Sequence, residues 1–357
     1  MSTNSMDRPG RWLIAAGSTI IAFAVLALVA SEPTFANRST PDTQLLRTYQ
    51  PILIFHPSEL FRPTKVQSFV NDSELERFVG TSPQQLPLDA YWTVVDYDPD
   101  AAELPASTPG AIYRLDQEIC RADAALAGRD CYADAAAART KDPVVYGRAV
   151  RTETHIVLQY WLFYYDNPLL LPATQVGTFF QSHEGDWELV NVVLGADEEP
   201  VEAAYSQHCS GQRKPWADVS RLPAGSTHPV AYVALGSHAN YFGPGAGPLG
   251  AIPISPACIP TAVAPILPLL PFLEVVDQVV DGTGAGSVVG PDDASIQRIE
   301  GKEWAVFGGR WGESEYFSTP IPLGPIPAGP VPIGLAPGSP ANQPSWDVST
   351  ILGWPAE

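Results

Sequence analysis

Residues 154–168 read THIVLQYWLFYYDNP. In an extended chain Ile156, Leu158, Tyr160, Leu162 and Tyr164 share one side, and Val157, Gln159, Trp161 and Phe163 the other. Both rows are largely apolar, which predicts a central strand covered on two faces. Asp166 closes the first row with a carboxylate, and Asn167 and Pro168 are expected to end the strand.

The same period of two recurs at 144–150, 201–208 and 228–242, the last broken at Gly236. Near the start, Leu53 and Phe55 alternate with Ile52, Ile54 and His56 before the turn residues Pro57 and Ser58. A short strand is predicted at 92–95, and a last strand and turn at 304–317. Residues 71–99 read as a polar helix start followed by loop, and 133–139 is the best helical stretch. The apolar run within 244–280 reads first as an ordinary short helix, with a lid or a membrane-contact loop as alternatives. From Pro320 onward closely spaced prolines predict an extended tail that wraps the surface or hangs free. The pattern predicts a mainly β chain: a two-sheet antiparallel β-sandwich with a few peripheral short helices. Its expected organisation is 1–36 signal or anchor, 37–48 linker, 49–327 sandwich and 328–357 tail.

Composition adds limits. With 37 prolines and 29 glycines in 357 residues, the chain suits many strands joined by turns. Lys+Arg 20 against Asp+Glu 39 gives a net charge of -19, which disfavours nucleic acid and suits cations. Arg8 and Arg11 precede an uncharged apolar run at 12–30, with small residues Ser31 and Ala36 placed for cleavage. The protein is therefore expected outside the cytoplasm, secreted or held by an uncleaved amino-terminal segment. In an oxidising compartment the four cysteines are expected to pair as Cys120 with Cys131 and Cys209 with Cys258. They show no C-x-x-C spacing, and His208 beside Cys209 does not make a zinc pattern.

The densest chemistry lies at 181–194, QSHEGDWELVNVVL. Alternation puts Asp186 and Glu188 on the face of Val190, Val192 and Leu194, toward the core. Desolvating an unpaired carboxylate costs several kcal/mol or more, so such groups are paired, protonated or metal-bound. No Lys or Arg lies between Thr152 and Gln212, which favours a bound cation; a distant Arg310 folding back is the competitor. Gly185 allows a turn, so His183 can point into the same hollow. One histidine with several carboxylate oxygens suits Mg²⁺ or Ca²⁺ better than zinc. H-E-x-x-H is excluded because Trp187 holds the fifth place, and the exported part has no G-x-S-x-G. The cluster can equally be a hydrogen-bonded corner that fixes a turn. His56, His208 and His238 each end a strand: His56 as a ligand or as a histidine hydrogen-bonded at the strand end, His208 and His238 as capping histidines or as rim residues of the site.

HEGDWELV, with VLQYWLFYYDN before it, AAYSQH, HPVAYVALGSHANYF and FGGRWG after it, and the opening YQPILIFHPSELFRP, resembles the family named for vacuolar protein sorting-associated protein 62 over about 49–327. A more distant resemblance is to the necrosis- and ethylene-inducing peptide-like proteins, secreted cytolysins with a β-sandwich and a divalent-metal site. Their motif G-H-R-H-D-W-E compares with residues 182–188: His183, Asp186, Trp187 and Glu188 match, while Ser182 and Gly185 stand for the leading glycine and second histidine. That resemblance implies a metal held by Asp166, His183, Asp186 and Glu188. The leading expectation is an extracytoplasmic, metal-dependent binding protein for a polar head group such as a glycan or glycolipid. Its rivals are a metal-dependent hydrolase with Glu184 or His183 as general base and a membrane-lytic protein using the apolar run at 266–280. Oligomeric state is not legible in the sequence.

Overall fold

In chain order the elements are α1 (Asp42–Thr48), β1 (Ile52–Phe55), α2 (Val66–Asn71), β2 (Ser73–Phe78), β3 (Trp92–Asp96), β4 (Tyr113–Gln117), β5 (Val144–Arg151), β6 (His155–Ala173) and β7 (Gly177–Gly195). There follow β8 (Pro200–Gln207), β9 (Ser210–Pro215), β10 (Val230–Val233), β11 (Asn240–Tyr241), β12 (Ala246–Pro248), β13 (Val276–Gln278), β14 (Val288–Val289) and β15 (Ser295–Arg298). The chain ends with β16 (Arg310–Trp311), β17 (Glu315–Thr319), β18 (Gly329–Gly334) and α3 (Val348–Leu352). This is a computed structural model, and it describes residues 40–82, 85–86, 88–117, 142–173, 177–207, 210–248, 276–278, 286–319 and 329–356. These fall within one unit, Thr40–Glu357. The signal or anchor segment, the helical stretch at 133–139, His208, all four cysteines and most of the apolar run at 266–280 lie outside the described residues. No described helix is long and apolar enough to cross a membrane.

The mainly β reading with few short helices is what the structure has, and the sheets are mixed rather than purely antiparallel. The largest runs β15-β5-β6-β7-β8-β9, a second β11-β10-β1-β14 and a third β16-β4-β2-β3. Each contains one parallel pair: β15 with β5, β1 with β10 and β16 with β4. β6 sits inside the largest sheet as its two apolar rows require, and every residue from Val157 to Tyr165 is fully buried. One face receives a mostly aromatic layer in which Trp187 stacks on Trp304 at 5.5 Å and meets Phe163 at 4.7 Å.

Three expectations need correcting. β6 does not stop at Pro168. It continues to Ala173 as a ribbon with β7, Pro168 opposite Ser182, because the outer edge of a two-stranded ribbon tolerates a residue without an N–H. Residues 73–78, read as part of a polar helix start and loop, form β2: Glu76 is buried on this strand because Arg114 of β4 neutralises it at 2.6 Å. The tail does more than wrap the surface, since Ile351 and Trp354 join the main core. Arg148 and Arg213 hold it by donating to the carbonyls of Trp346 and Trp354 at 2.7 and 2.8 Å, while Gln159 donates to Ser345.

Candidate functional site

The β6–β7 ladder sets the positions of the acidic residues. Leu162 pairs with Glu188, Tyr164 with Asp186, Asp166 with Glu184 and Asn167 with His183. Asp166, Asp186 and Glu188 are buried, as the core-facing rows predicted, and Glu184 is buried with them.

Gly185 separates two chemistries. Its φ of 57° lies in the left-handed region, where a side chain is strained. A Cβ there would also come within 2.5 Å of the Trp311 carbonyl oxygen. Opposite it Gly312, at φ 113°, leaves room for the backbone oxygen of Glu184. On one side of this kink, Oε2 of Glu184 accepts from the amides of Gln117 and Glu313, both at 3.1 Å. Glu184 thus ties β7 to β4 and to the segment after β16. On the other side Asp186 turns to His238.

His238 is the residue on which the acids converge. Its Nδ1 donates to Asp186 Oδ2 at 3.0 Å, and its Nε2 lies 3.6 Å from Glu59 Oε1. The ring lies flat on Tyr164 and edge-on to Phe61. The residue is fully buried and takes φ 53°, in a turn that Gly236 opens with φ 77°. Glu59 fixes that turn by accepting from Gly236 N at 2.7 Å, and it accepts from Phe61 N at 2.7 Å as well. Burial alone pushes the His238 imidazole down, but Glu59 and Asp186 outweigh it and hold its pKa at about 9. Burial likewise pushes the Glu59 carboxyl up, and His238 with the two amides brings it below the ordinary range. The cation that the acidic residues call for is therefore supplied at Asp186 by a protonated histidine. Glu188 is bonded to the Ser206 hydroxyl on β8, and burial followed by Glu188, Asp186 and Glu59 drives the Tyr164 phenol well up.

His183 points elsewhere. Its Nδ1 faces the Gly185 carbonyl at 2.8 Å, so this nitrogen carries the proton, and Nε2 accepts from Asn167 Nδ2 at 2.9 Å. Neither nitrogen is left for a metal. Among the described residues no group of three or more His, Cys, Asp or Glu side chains is arranged to hold a metal ion. Within the set Asp166, His183, Asp186 and Glu188, His183 meets Asn167, Asp186 meets His238 and Glu188 meets Ser206.

The structure brings Asp186 to His238, one of the two rim candidates, and leaves His183 and Glu184 in separate bonding arrangements. Glu59, Tyr164 and Ser206 were not singled out in the sequence as members of the site. Tyr164 had a signal, since it shares a strand row with Asp166. Glu59 had none, because it meets His238 only through the tertiary fold. His56, weighed as a ligand, accepts from the amide of Ser58 at the strand end.

No family model matches the sequence, and no curated protein matches it. Among solved structures the chain is similar to the crystal structure of Necrosis and Ethylene inducing Protein 2 from the causal agent of cocoa's Witches Broom disease, at 16% identity over 56% of this chain and 67% of that one, TM-score 0.27. It is also similar to a structure described as a toxin fold as basis for microbial attack and plant defense, at 14% identity over 74% and 79%, TM-score 0.32. A third is NLPPya in complex with mannosamine, at 13% identity over 75% and 79%, TM-score 0.30. The structural neighbours are thus of the necrosis- and ethylene-inducing type, the more distant of the two resemblances in the sequence, and the vacuolar protein sorting-associated protein 62 family finds no support.

Proposed function

We propose that the chain is an extracytoplasmic binding protein that recognises a polar head group, such as a glycan or glycolipid, around His238 at the end of the β6–β7 core. One observation carries this reading. Tyr164 Oη, Asn167 Oδ1 and both amide atoms of Asn240, two residues beyond His238, are buried without a hydrogen-bond partner. Each such group costs about 1–3 kcal/mol, a cost that a hydroxyl-rich ligand would relieve on opening this region. The half-buried His183, bonded to the buried Asn167, forms the approach.

In this reading His238 provides the positive charge and recognition needs no divalent metal. The hydrolase reading, with Glu184 or His183 as base, has less support, because Oε2 of Glu184 accepts from two amides and both ring nitrogens of His183 have partners. The decisive experiment is binding to a panel of immobilised glycans and glycolipids, with and without EDTA, for the wild type and for Tyr164→Phe, Asn240→Leu and Asp186→Asn. Selective binding that survives EDTA and falls about tenfold or more in the variants supports the proposal. A wild type that binds nothing on the panel, or variants that bind equally, removes it, and binding abolished by EDTA restores the metal.

A further inference from the structure

The third sheet ends in a strand built like a docking edge. β3 pairs with β2 on one side, and no described strand lies on its other side. An unpaired edge presents a row of backbone N–H and C=O groups to any extended chain. Val95 is 51% exposed and Tyr97, just beyond the strand, 75% exposed. Val79 after β2 and Leu88 before β3 add further exposed apolar surface near this edge.

The edge is also held in place. The Trp92 indole donates to the Leu86 carbonyl at 2.7 Å, and the Arg114 guanidinium lies 4.5 Å over its ring. Arg114 in turn is fixed by Glu76 and Asp116 at 2.6 and 2.9 Å. An extended partner meeting this edge therefore loses little to ordering β3.

Charge selects the partner. Asp89, Asp96, Asp98, Asp100 and Glu103 are exposed along and around β3, with Arg77 the exposed base on the neighbouring strand. A second copy of the chain brings the same acids to the same edge, in a protein of net charge -19. We propose that β3 adds a strand from a partner whose extended segment alternates apolar residues with Lys or Arg, independently of the His238 site. The partner's main chain continues the β-ladder, its apolar side chains cover Val95 and Tyr97, and its basic ones face the aspartates.

The test is titration of the folded protein with a fluorescein-labelled peptide of alternating lysine and valine, followed by anisotropy and by backbone amide shifts. An alternating glutamate and valine peptide serves as control. Saturable binding with shifts centred on 93–97, weakened about tenfold or more by Val95→Lys and by Asp96→Asn with Asp98→Asn, is the expected result. Val95→Lys keeps a residue that can occupy the strand, and Asp96→Asn with Asp98→Asn changes only charge, so a folded variant is available. Absence of binding, equal binding of the acidic peptide, or undiminished binding to Val95→Lys overturns the proposal. Concentration-dependent dimerisation abolished by Val95→Lys also overturns it, by making a second copy the occupant.

Discussion

The imidazole of His238 stacks on the phenol ring of Tyr164, with centroids 3.9 Å apart and planes 4° from parallel. Stacking fixes the ring plane, Asp186 fixes one edge and Glu59 the other. A histidine in a left-handed backbone conformation, sparsely populated and costing about 1–3 kcal/mol, persists because all three contacts require it.

This arrangement makes stability depend on pH. His238 is held at about 9 in the folded chain, against about 6.5 when unfolded. A raised pKa means that the stabilisation is fully present below about 6.5 and is lost as pH rises through about 9. The loss is on the order of 3 kcal/mol. Urea midpoints measured from acid to alkaline pH should fall across that window, and His238→Gln should flatten the fall.

Glu59 joins β1 to the turn that carries His238. Glu59→Ala leaves the imidazolium with Asp186 alone and two buried amides without an acceptor, and should cost about 3–5 kcal/mol. Glu59→Gln keeps an acceptor for an amide and should cost less. Denaturant titration of the two variants checks the order, and equal losses would show that charge, not hydrogen bonding, is the dominant contribution.

At the kink in β7, Gly185→Ala places a methyl group against the Trp311 carbonyl at a positive φ. A loss of about 2 kcal/mol or more is expected. Because Gly312 meets Glu184 across the same contact, Gly312→Ala should be comparably costly and the double variant less than additive. A double-mutant cycle in urea measures that coupling.

Truncation before Ser339 removes residues that contact β5, β6 and β9. Trp346 lies 6.0 Å from Trp161, and Trp354 packs against Gly211. The shortened chain should lose near-ultraviolet dichroism and several kcal/mol of stability. Arg148→Ala, which removes the cation 3.7 Å over Trp346, should reproduce a fraction of that loss.

Periodicity alone showed the centre of this protein. β6 could be read because both of its rows are apolar, and the burial of Asp166, Asp186 and Glu188 followed from their place on those rows. The need for a nearby cation was legible too, but its source was not. His238 stands 52 residues from Asp186, and its partner Glu59 stands 177 from Gly236, so neither pairing leaves a local pattern. β2 was obscured because SELERF is largely polar, and its buried Glu76 is neutralised by Arg114 from another strand. Proline spacing likewise described how the tail extends and gave no sign of the arginines that capture its carbonyls.

The resembled motif carries a histidine where this chain has Gly185. Placing a histidine at position 185 would not simply add a nitrogen ligand. It would push on the path of Trp311 and Gly312, and the next residue along supplies an amide to Glu184. Positions 185 and 312 therefore behave as one unit: a side chain at either is accommodated only if the other segment is rerouted, so neither glycine can be exchanged by itself.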